Sequence, residues 1–423
     1  MPRLLTAGES HGATLVVIVD GLPAGIPLGV EDIDRELRRR QAGYGRGPRA
    51  TGTIDRARLL AGVAGGKTTG APVAIEIANP EPDPRPANLR TTQGERPANL
   101  RITQGERSPV PRPGHADLGL AVKYGTPDFW SQAERASARE TAARVAGATV
   151  ARALLTRLGV EVGSHVTAIG GVVVAETRPG AAIVAGIGPA AARDRPGWRA
   201  VFAAAETDCL RCADTGTSLR MRAVIDEASA RGDTLGGVFE VAALGCPPGL
   251  GGFGQWDRRL DARLAGAVMS VPGVKAVSIG AGFEAAALSG RLAHDPVVPG
   301  SGPFGTARPS NLAGGLEGGI TNGQPVVVRA AMKAIPSLGD PLPSVDLVSG
   351  EPCLAPRVRG DVCAVPAAAV VAEAMVAWEL AAAVLERYGS DTLEAILEAW
   401  RRDAEAWLRD AAAWQRDAEA TTP

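Results

Sequence analysis

Short apolar runs with strand character alternate with helical stretches along this chain, which restricts it to folds in which helices cover sheets. Residues 13–20 read as a buried strand, and residues 30–41 as a helix stopped by Gly43. Further strand-like runs occupy 72–78, 160–174, 237–243, 274–279 and 325–331, and helical patterns recur at 258–269 and 366–387. The clearest helix covers 131–158, where Ser131 and Glu134 form an S-x-x-E capping box ahead of an Ala-rich stretch. No linker rich in Pro, Gly and Ser marks a boundary, so the expectation is a single α+β domain.

With 423 residues, 45% apolar and 22% charged, the chain has enough apolar material for a large core and is too apolar to be disordered. A net charge of −1 argues against a whole-molecule basic field for nucleic acid or an anionic membrane. The basic side is nevertheless lopsided: of 45 basic residues only Lys67, Lys123, Lys275 and Lys333 are lysines, and the other 41 are Arg. Codon bias accounts for part of that skew, but Arg also offers a rigid bidentate fork for phosphate and carboxylate. The N-terminus lacks the pattern of a signal peptide, and no run of about eighteen apolar residues suggests a membrane helix. A cytoplasmic protein is expected. The five Cys residues fit that compartment, and Cys209-Leu-Arg-Cys212 reads as helical neighbours rather than a metal site.

Two repeats stand out. Residues 86–96 recur as 97–107 with one change, Thr91 against Ile102, which reads as a duplicated surface loop. In the tail, Trp400, Trp407 and Trp414 recur by sevens on one stripe of a helix that Asp391 and Glu394 could cap, and that stripe calls for burial on the body or on a sister subunit. Two motifs are decoys. Gly62 to Thr68 resembles a phosphate loop, but that spacing needs Gly at 61, where Ala stands. Arg359-Gly360-Asp361 spells an adhesion tripeptide without meaning in the expected compartment.

The chemistry concentrates elsewhere. His11 sits in the Gly-bracketed turn Gly8-Glu-Ser-His-Gly12, and His115 in Arg112-Pro-Gly-His-Ala-Asp117, both on tight loops; His165, in an apolar strand, and His294 read as structural. Arg40, Arg46 and Arg49 are interleaved with Gly and Pro, which suits a pocket wall gripping a multiply anionic small molecule better than a solvated helix face.

At this point the chain resembles the chorismate synthase family. The similarity is carried, in order along nearly the whole chain, by Gly8-Glu-Ser-His-Gly12, Arg40-Gln-Ala-Gly-Tyr-Gly-Arg46, Arg112-Pro-Gly-His-Ala-Asp117, Glu134-Arg-Ala-Ser-Ala-Arg-Glu-Thr141, Gly232-Asp-Thr-Leu-Gly-Gly237, the Gly314–Gly323 run and Arg359-Gly-Asp-Val-Cys-Ala-Val-Pro366. The resemblance implies a β-α-β sandwich, with residues 1–390 as the catalytic domain and 391–423 as a C-terminal helical tail. It implies anti-1,4-elimination of phosphate from 5-enolpyruvylshikimate 3-phosphate to chorismate, with reduced FMN required, in a homotetramer; the charge balance and hydropathy add the expectation of no nucleic acid and no membrane as partners.

By the same resemblance His11, beside Ser10, is the general acid towards the leaving phosphate, His115 balances charge on the reduced flavin, and Asp361 with Ser137 relays the C6 proton. Arg40, Arg46, Arg49, Arg112, Arg139 and Arg359 would bind substrate. FMN would contact Arg135, Ala136, Ser137, Pro272, Gly273, Gly318, Lys333, Ala334, Ile335, Pro336, Ser337 and Arg359. Arg40 and Arg46 are also linked to NADPH, a candidate reductant beside an external flavin reductase. The chain departs from the family pattern at Trp130, Pro272-Gly273 and Ala334. The competing expectations are a non-catalytic FMN-binding protein or flavin reductase, and a structural oligomer that engages a partner through its Trp tail.

Overall fold

The computed structural model describes residues 2–47, 54–79, 108–174, 195–358 and 360–420. Arg49, Arg359, the 86–107 duplication and the side chains of Trp407 and Trp414 lie outside the described residues.

The first sheet takes β1 (Arg3–Ala7), β2 (Thr14–Asp20), β3 (Ala57–Ala61) and β4 (Val73–Ala78) in the order β1-β2-β4-β3, all antiparallel. Alternation along β4, with Val73, Ile75 and Ile77 buried, turns one face to the core. The second sheet takes β5 (Glu161–Ile169), β6 (Val172–Val173), β7 (Gly237–Leu244), β8 (Val274–Ile279) and β9 (Val326–Met332) in the order β8-β9-β7-β5-β6, again antiparallel. The expected strand over 160–174 is divided at Gly170 and Gly171, whose positive φ lets the chain fold back on itself.

Helices pack between and around the sheets. These are α1 (Val30–Gln41), α2 (Asp117–Tyr124), α3 (Trp130–Arg135), α4 (Thr141–Arg157), α5 (Arg195–Thr207), α6 (Thr215–Ala230), α7 (Leu260–Met269), α8 (Val365–Tyr388) and α9 (Leu393–Ala420). The α4 helix packs on β1 and β2 and on α8, while α8 packs on β5 and β7, so the expected β-α-β sandwich is present. Close approach dictates the composition. A Cβ at Gly147 would stand 2.7 Å from Val17 and 3.0 Å from Leu4, so α4 lies too near the first sheet for any side chain there.

By length and composition α8 could cross a membrane, unlike anything a count of unbroken apolar residues suggests. With 83% of its apolar window buried inside the fold, it is a core helix. The carboxylate of Glu373 in this helix is fully buried and gathers arginines from three other segments: Arg39 at 2.8 Å, Arg152 at 2.5 Å and Arg211 at 2.9 Å, with Ser164 donating at 2.6 Å. Desolvation alone would raise its pKa, but the three guanidinium charges hold it well below the usual carboxylate range.

Three expectations are corrected here. The helix expected over 131–158 is broken into α3, a 3-10 turn at Ala138–Glu140, and α4, because Ser137 accepts the Arg139 N–H and starts a new helical segment. The capping box does not form: Phe129 is the N-cap of α3, and Glu134 binds His11 instead. Cys209 and Cys212 lie in the turn after α5, not within a helix, and burial pushes the Cys212 thiol up to about 11. The phosphate-loop lookalike is a hairpin pairing Val63–Ala64 with Lys67–Thr68, and among the described residues no His, Cys, Asp and Glu cluster suits a metal. In the tail, Leu393, Ile396 and Leu397 are buried in the core, and Trp400 meets Tyr388 edge-on at 5.5 Å.

Replacing Glu373 with Ala removes the fully buried carboxylate that Arg39, Arg152 and the buried Arg211 share, so a loss of about 3–5 kcal/mol in urea unfolding is expected. Because folding lowers this pKa, the stabilisation is present above about pH 4.5 and disappears as pH falls towards the folded value. Glu373→Gln should therefore flatten the acid limb of the stability–pH curve, measured by chemical denaturation from pH 3 to 7.

Candidate active site

The C-terminus of α1, the loop between β1 and β2, the 3-10 turn after α3 and the N-terminus of α8 converge on one cleft of about 230 Å³. Ser10, Arg40, Arg46, Ser137, Arg139, Pro272 and Asp361 all line it, although they are spread over most of the chain. Val271, Met332, Ala364, Ala367 and Val371 supply an apolar side.

The arginines are held in position by partners that do not exhaust them. Arg40 is buried, donating Nε to Thr141 Oγ1 at 2.9 Å and Nη2 to the Ala138 carbonyl at 2.9 Å, with Asp55 3.8 Å away. Arg139 donates to Asn79 at 2.9 Å and to Asp55 at 2.7 Å. Arg46 pairs with Asp361 at 3.1 Å, and the other Asp361 oxygen accepts the Gly47 N–H at 2.7 Å. Arg46 Nε and Arg139 Nη2 are buried with no hydrogen-bond partner among the described residues. Burial, with the charges of Arg46 and Arg139 against the opposing pull of Asp55, pushes Arg40 down to about 10. Among the described residues, three arginines against two carboxylates leave one formal positive charge, with two donors and one Asp55 oxygen lacking partners, a balance that favours an anion.

His11 follows Ser10 in the chain but, unlike Ser10, is not among the residues that line the cleft. The loop that carries it turns at Gly8, where φ is +105° and a Cβ would meet the Thr14 carbonyl at 2.4 Å, so only glycine fits. Arg135 does not reach into the cleft; it donates to Thr6 and to the Gly8 carbonyl and braces that loop. Ala136 caps α3 beside it.

A second polar centre surrounds His115. The buried Asp117 accepts from Nε and Nη2 of Arg112 at 2.7 and 2.9 Å and lies 2.5 Å from His115 Nδ1. His115 and Arg112 hold its carboxyl well below the usual range against the cost of burial. Arg112 Nη2, which can only donate, also reaches Nδ1 at 3.1 Å, but the shorter contact is to a carboxylate that only accepts, and this places the hydrogen on Nδ1. Trp130 is 5.3 Å below the Arg112 guanidinium and donates to the Ser108 carbonyl at 2.7 Å.

The segment 333–337 links these centres. Lys333 donates its Nζ to the Gly114 carbonyl and its backbone N–H to the Gly273 carbonyl at 2.9 Å, Ile335 accepts from Thr234 at 2.7 Å, and Ser337 lies beside Gly360. Ala334 and Pro336 belong to the same strip, with Pro336 packed against Gly114. Arg112 and His115 are not among the lining residues of the cleft, and Gly318 stands apart in the hairpin joining Leu316–Glu317 to Ile320–Thr321. Asp55, Asn79, Gln41, Thr141 and Met332 are not among the expected site residues, and no local sequence signal marks Asp55. His165 is structural as expected, buried 3.1 Å from Glu240 and edge-on to Trp198.

The chorismate synthase family profile matches residues 2–385. The chain belongs to the chorismate synthase family. It is 50% identical over 409 residues to the chorismate synthase of Moorella thermoacetica, covering 94% of this chain and 97% of that one. It is 49% identical over 403 residues to that of Desulforudis audaxviator, covering 95% and 97%. A solved crystal structure of chorismate synthase superposes with a TM-score of 0.75 at 38% identity, covering 96% of this chain and 98% of that one. Chorismate synthases are carbon–oxygen lyases that act on a small phosphate ester with a reduced flavin, and this chain is an enzyme of that class.

Inorganic phosphate is expected to bind this cleft and raise the thermal midpoint. Arg139→Ala, which removes one of the unused donors, should weaken phosphate binding by about 1.5–3 kcal/mol, roughly 10- to 150-fold, by titration calorimetry. Unchanged affinity would dissociate the cleft from anion binding.

Proposed function

We propose that the cleft binds 5-enolpyruvylshikimate 3-phosphate beside reduced FMN and that the residues named above perform the anti-1,4-elimination. The observation that carries this reading is the pair of buried donors without partners among the described residues, Arg46 Nε and Arg139 Nη2, beside an Arg40 whose charge burial disfavours. A substrate with a phosphate and two carboxylates supplies what those groups lack. The same chemistry fits the phosphate-bearing flavin, for which the strip 333–337, Pro272, Gly273 and Ser137 would form the holding residues. Arg49 and Arg359 join the proposal as further anion contacts.

When bound, the reduced flavin supplies electron density to a ring made electron-poor by phosphate loss. The protein's own groups handle the rest. Breaking the C3–O bond sends an electron pair off with phosphate, and His11 provides the proton that neutralises it. Removal of the C6 proton returns an electron pair to the ring, with Asp361 as its acceptor and Ser137 in the same polar network. Arg46 both orients Asp361 and faces the anion. His115, tied at Nδ1 to Asp117, is suited to change charge at Nε2 when negative charge builds beside it. Val271, Met332 and Val371 exclude water from one wall.

Arg40 and Arg46, linked by resemblance to NADPH, lie in the cleft assigned to substrate. Two anions cannot share those forks at once, which favours a separate flavin reductase as the source of reducing equivalents. The same proposal makes the enzyme a cytoplasmic homotetramer with a catalytic unit over 1–390 and a helical tail over 391–423. None of its five cysteines forms a disulfide, and Phe253, Trp256 and Phe283, each about four-fifths exposed, offer apolar surface for assembly.

Anaerobic incubation with reduced FMN and 5-enolpyruvylshikimate 3-phosphate should release phosphate and chorismate in equal amounts. Flavin binding without phosphate release would instead point to a non-catalytic flavin protein or a reductase. His115→Ala should keep the circular dichroism spectrum and lose turnover by about 100-fold or more; a wild-type rate would refute its role.

A further inference from the structure

We infer that Glu134 is the residue that sets His11 for proton transfer, a positioning role that rests on the general-acid reading of His11 above. Three contacts converge on this one side chain and its carbonyl. The Glu134 carboxylate accepts the His11 backbone N–H at 2.8 Å and faces the ring Nδ1 with both oxygens, at 2.9 and 2.8 Å. The Glu134 carbonyl accepts the Ser10 N–H at 3.1 Å. A residue 123 positions along the chain thus holds both members of the Ser10-His11 pair.

The chemistry of the contact follows from the inventory of donors. A carboxylate only accepts, so the Nδ1 beside it carries the hydrogen, and Nε2 is the ring nitrogen that can deliver the second proton of the imidazolium. Glu134 therefore selects the tautomer and the ring orientation together. The pair is partly solvated, with the His11 side chain 48% and the Glu134 side chain 26% exposed, so its contribution as an ion pair to stability is small and its value lies in geometry. The surrounding structure is built to keep that geometry: Arg135, the next residue, bonds Thr6 and Gly8 at the other end of the loop, so α3 grips the His11 turn from two sides. The carboxylate that could have closed a capping box at the start of α3 is committed to His11 instead.

The decisive variant is Glu134→Gln, which keeps the side chain's shape but replaces an acceptor-only group with one that can also donate. Its kcat is expected to fall about 10- to 100-fold with KM within about threefold. The ¹⁵N spectrum of neutral His11, all Nδ1–H in the wild type, should show both tautomers in the variant. His11→Ala serves as the reference, and the double variant should be no slower than His11→Ala alone. A wild-type kcat in Glu134→Gln, or a loss of rate with the Nδ1–H tautomer intact, overturns the positioning role. A wild-type rate in His11→Ala would instead overturn the general-acid reading itself.

Discussion

The buried carboxylate of Glu373 is the constraint on which the rest of the molecule depends. It lies in the middle of the apolar helix α8, and its arginine partners come from α1, from α4 and from the turn after α5, with Ser164 of β5 completing the set. Packing alone would allow Ala-rich helices to slide against one another, because small side chains interdigitate weakly. A single acceptor that must satisfy three forks allows one register. Fixing α1 in that register sends Arg39 inward to Glu373, and the next residue, Arg40, emerges on the side of the helix that faces the cleft. The site is a by-product of how the layers are locked.

How much of this was legible in the sequence depends on whether the signal was local. The strands and the inter-sheet helices were, since periodicity and turn residues are properties of short windows. The loops carrying His11 and His115 were also legible, because only Gly at Gly8 and Gly114 permits those turns. The helix over 131–158 was misread for a physical reason: Ser131 and Glu134 have capping-box spacing, but Ser137 offers a competing N-cap six residues later and Glu134 has a better partner across the fold. Asp55 was invisible for the opposite reason. Nothing near it in sequence shows that Arg139 will approach to 2.7 Å, since that contact exists only after β3, β4 and α4 have packed.

The excess of arginine divides along the same line. Around Glu373, three arginines, Arg39, Arg152 and Arg211, meet three carboxylates, those of Glu36, Glu206 and Glu373, so the cluster is electrically closed and serves the fold. In the cleft, Arg40, Arg46 and Arg139 meet, among the described carboxylates, only Asp55 and Asp361. Residue type and local spacing are the same in both places, with Arg39 and Arg40 adjacent in the chain; what differs is the count of carboxylates that the tertiary structure delivers. Composition could therefore announce that anion-gripping side chains were abundant, but only the fold could say which remained open to an anion.

That imbalance has a thermodynamic consequence. A buried arginine driven down to about 10 destabilises the folded protein relative to one with a normal value, because charge is retained at neutral pH in a setting that disfavours it. The destabilisation is tolerable only if closed clusters elsewhere hold the surrounding helices rigidly, and α1 connects the two, with Arg39 in one cluster and Arg40 in the other. An anion that enters the cleft removes the penalty and is bound more tightly by the amount removed. Rigidity at Glu373 and affinity at Arg40 are thus coupled through one turn of one helix, and softening the first would let the cleft arginines relax towards water and forfeit part of the second.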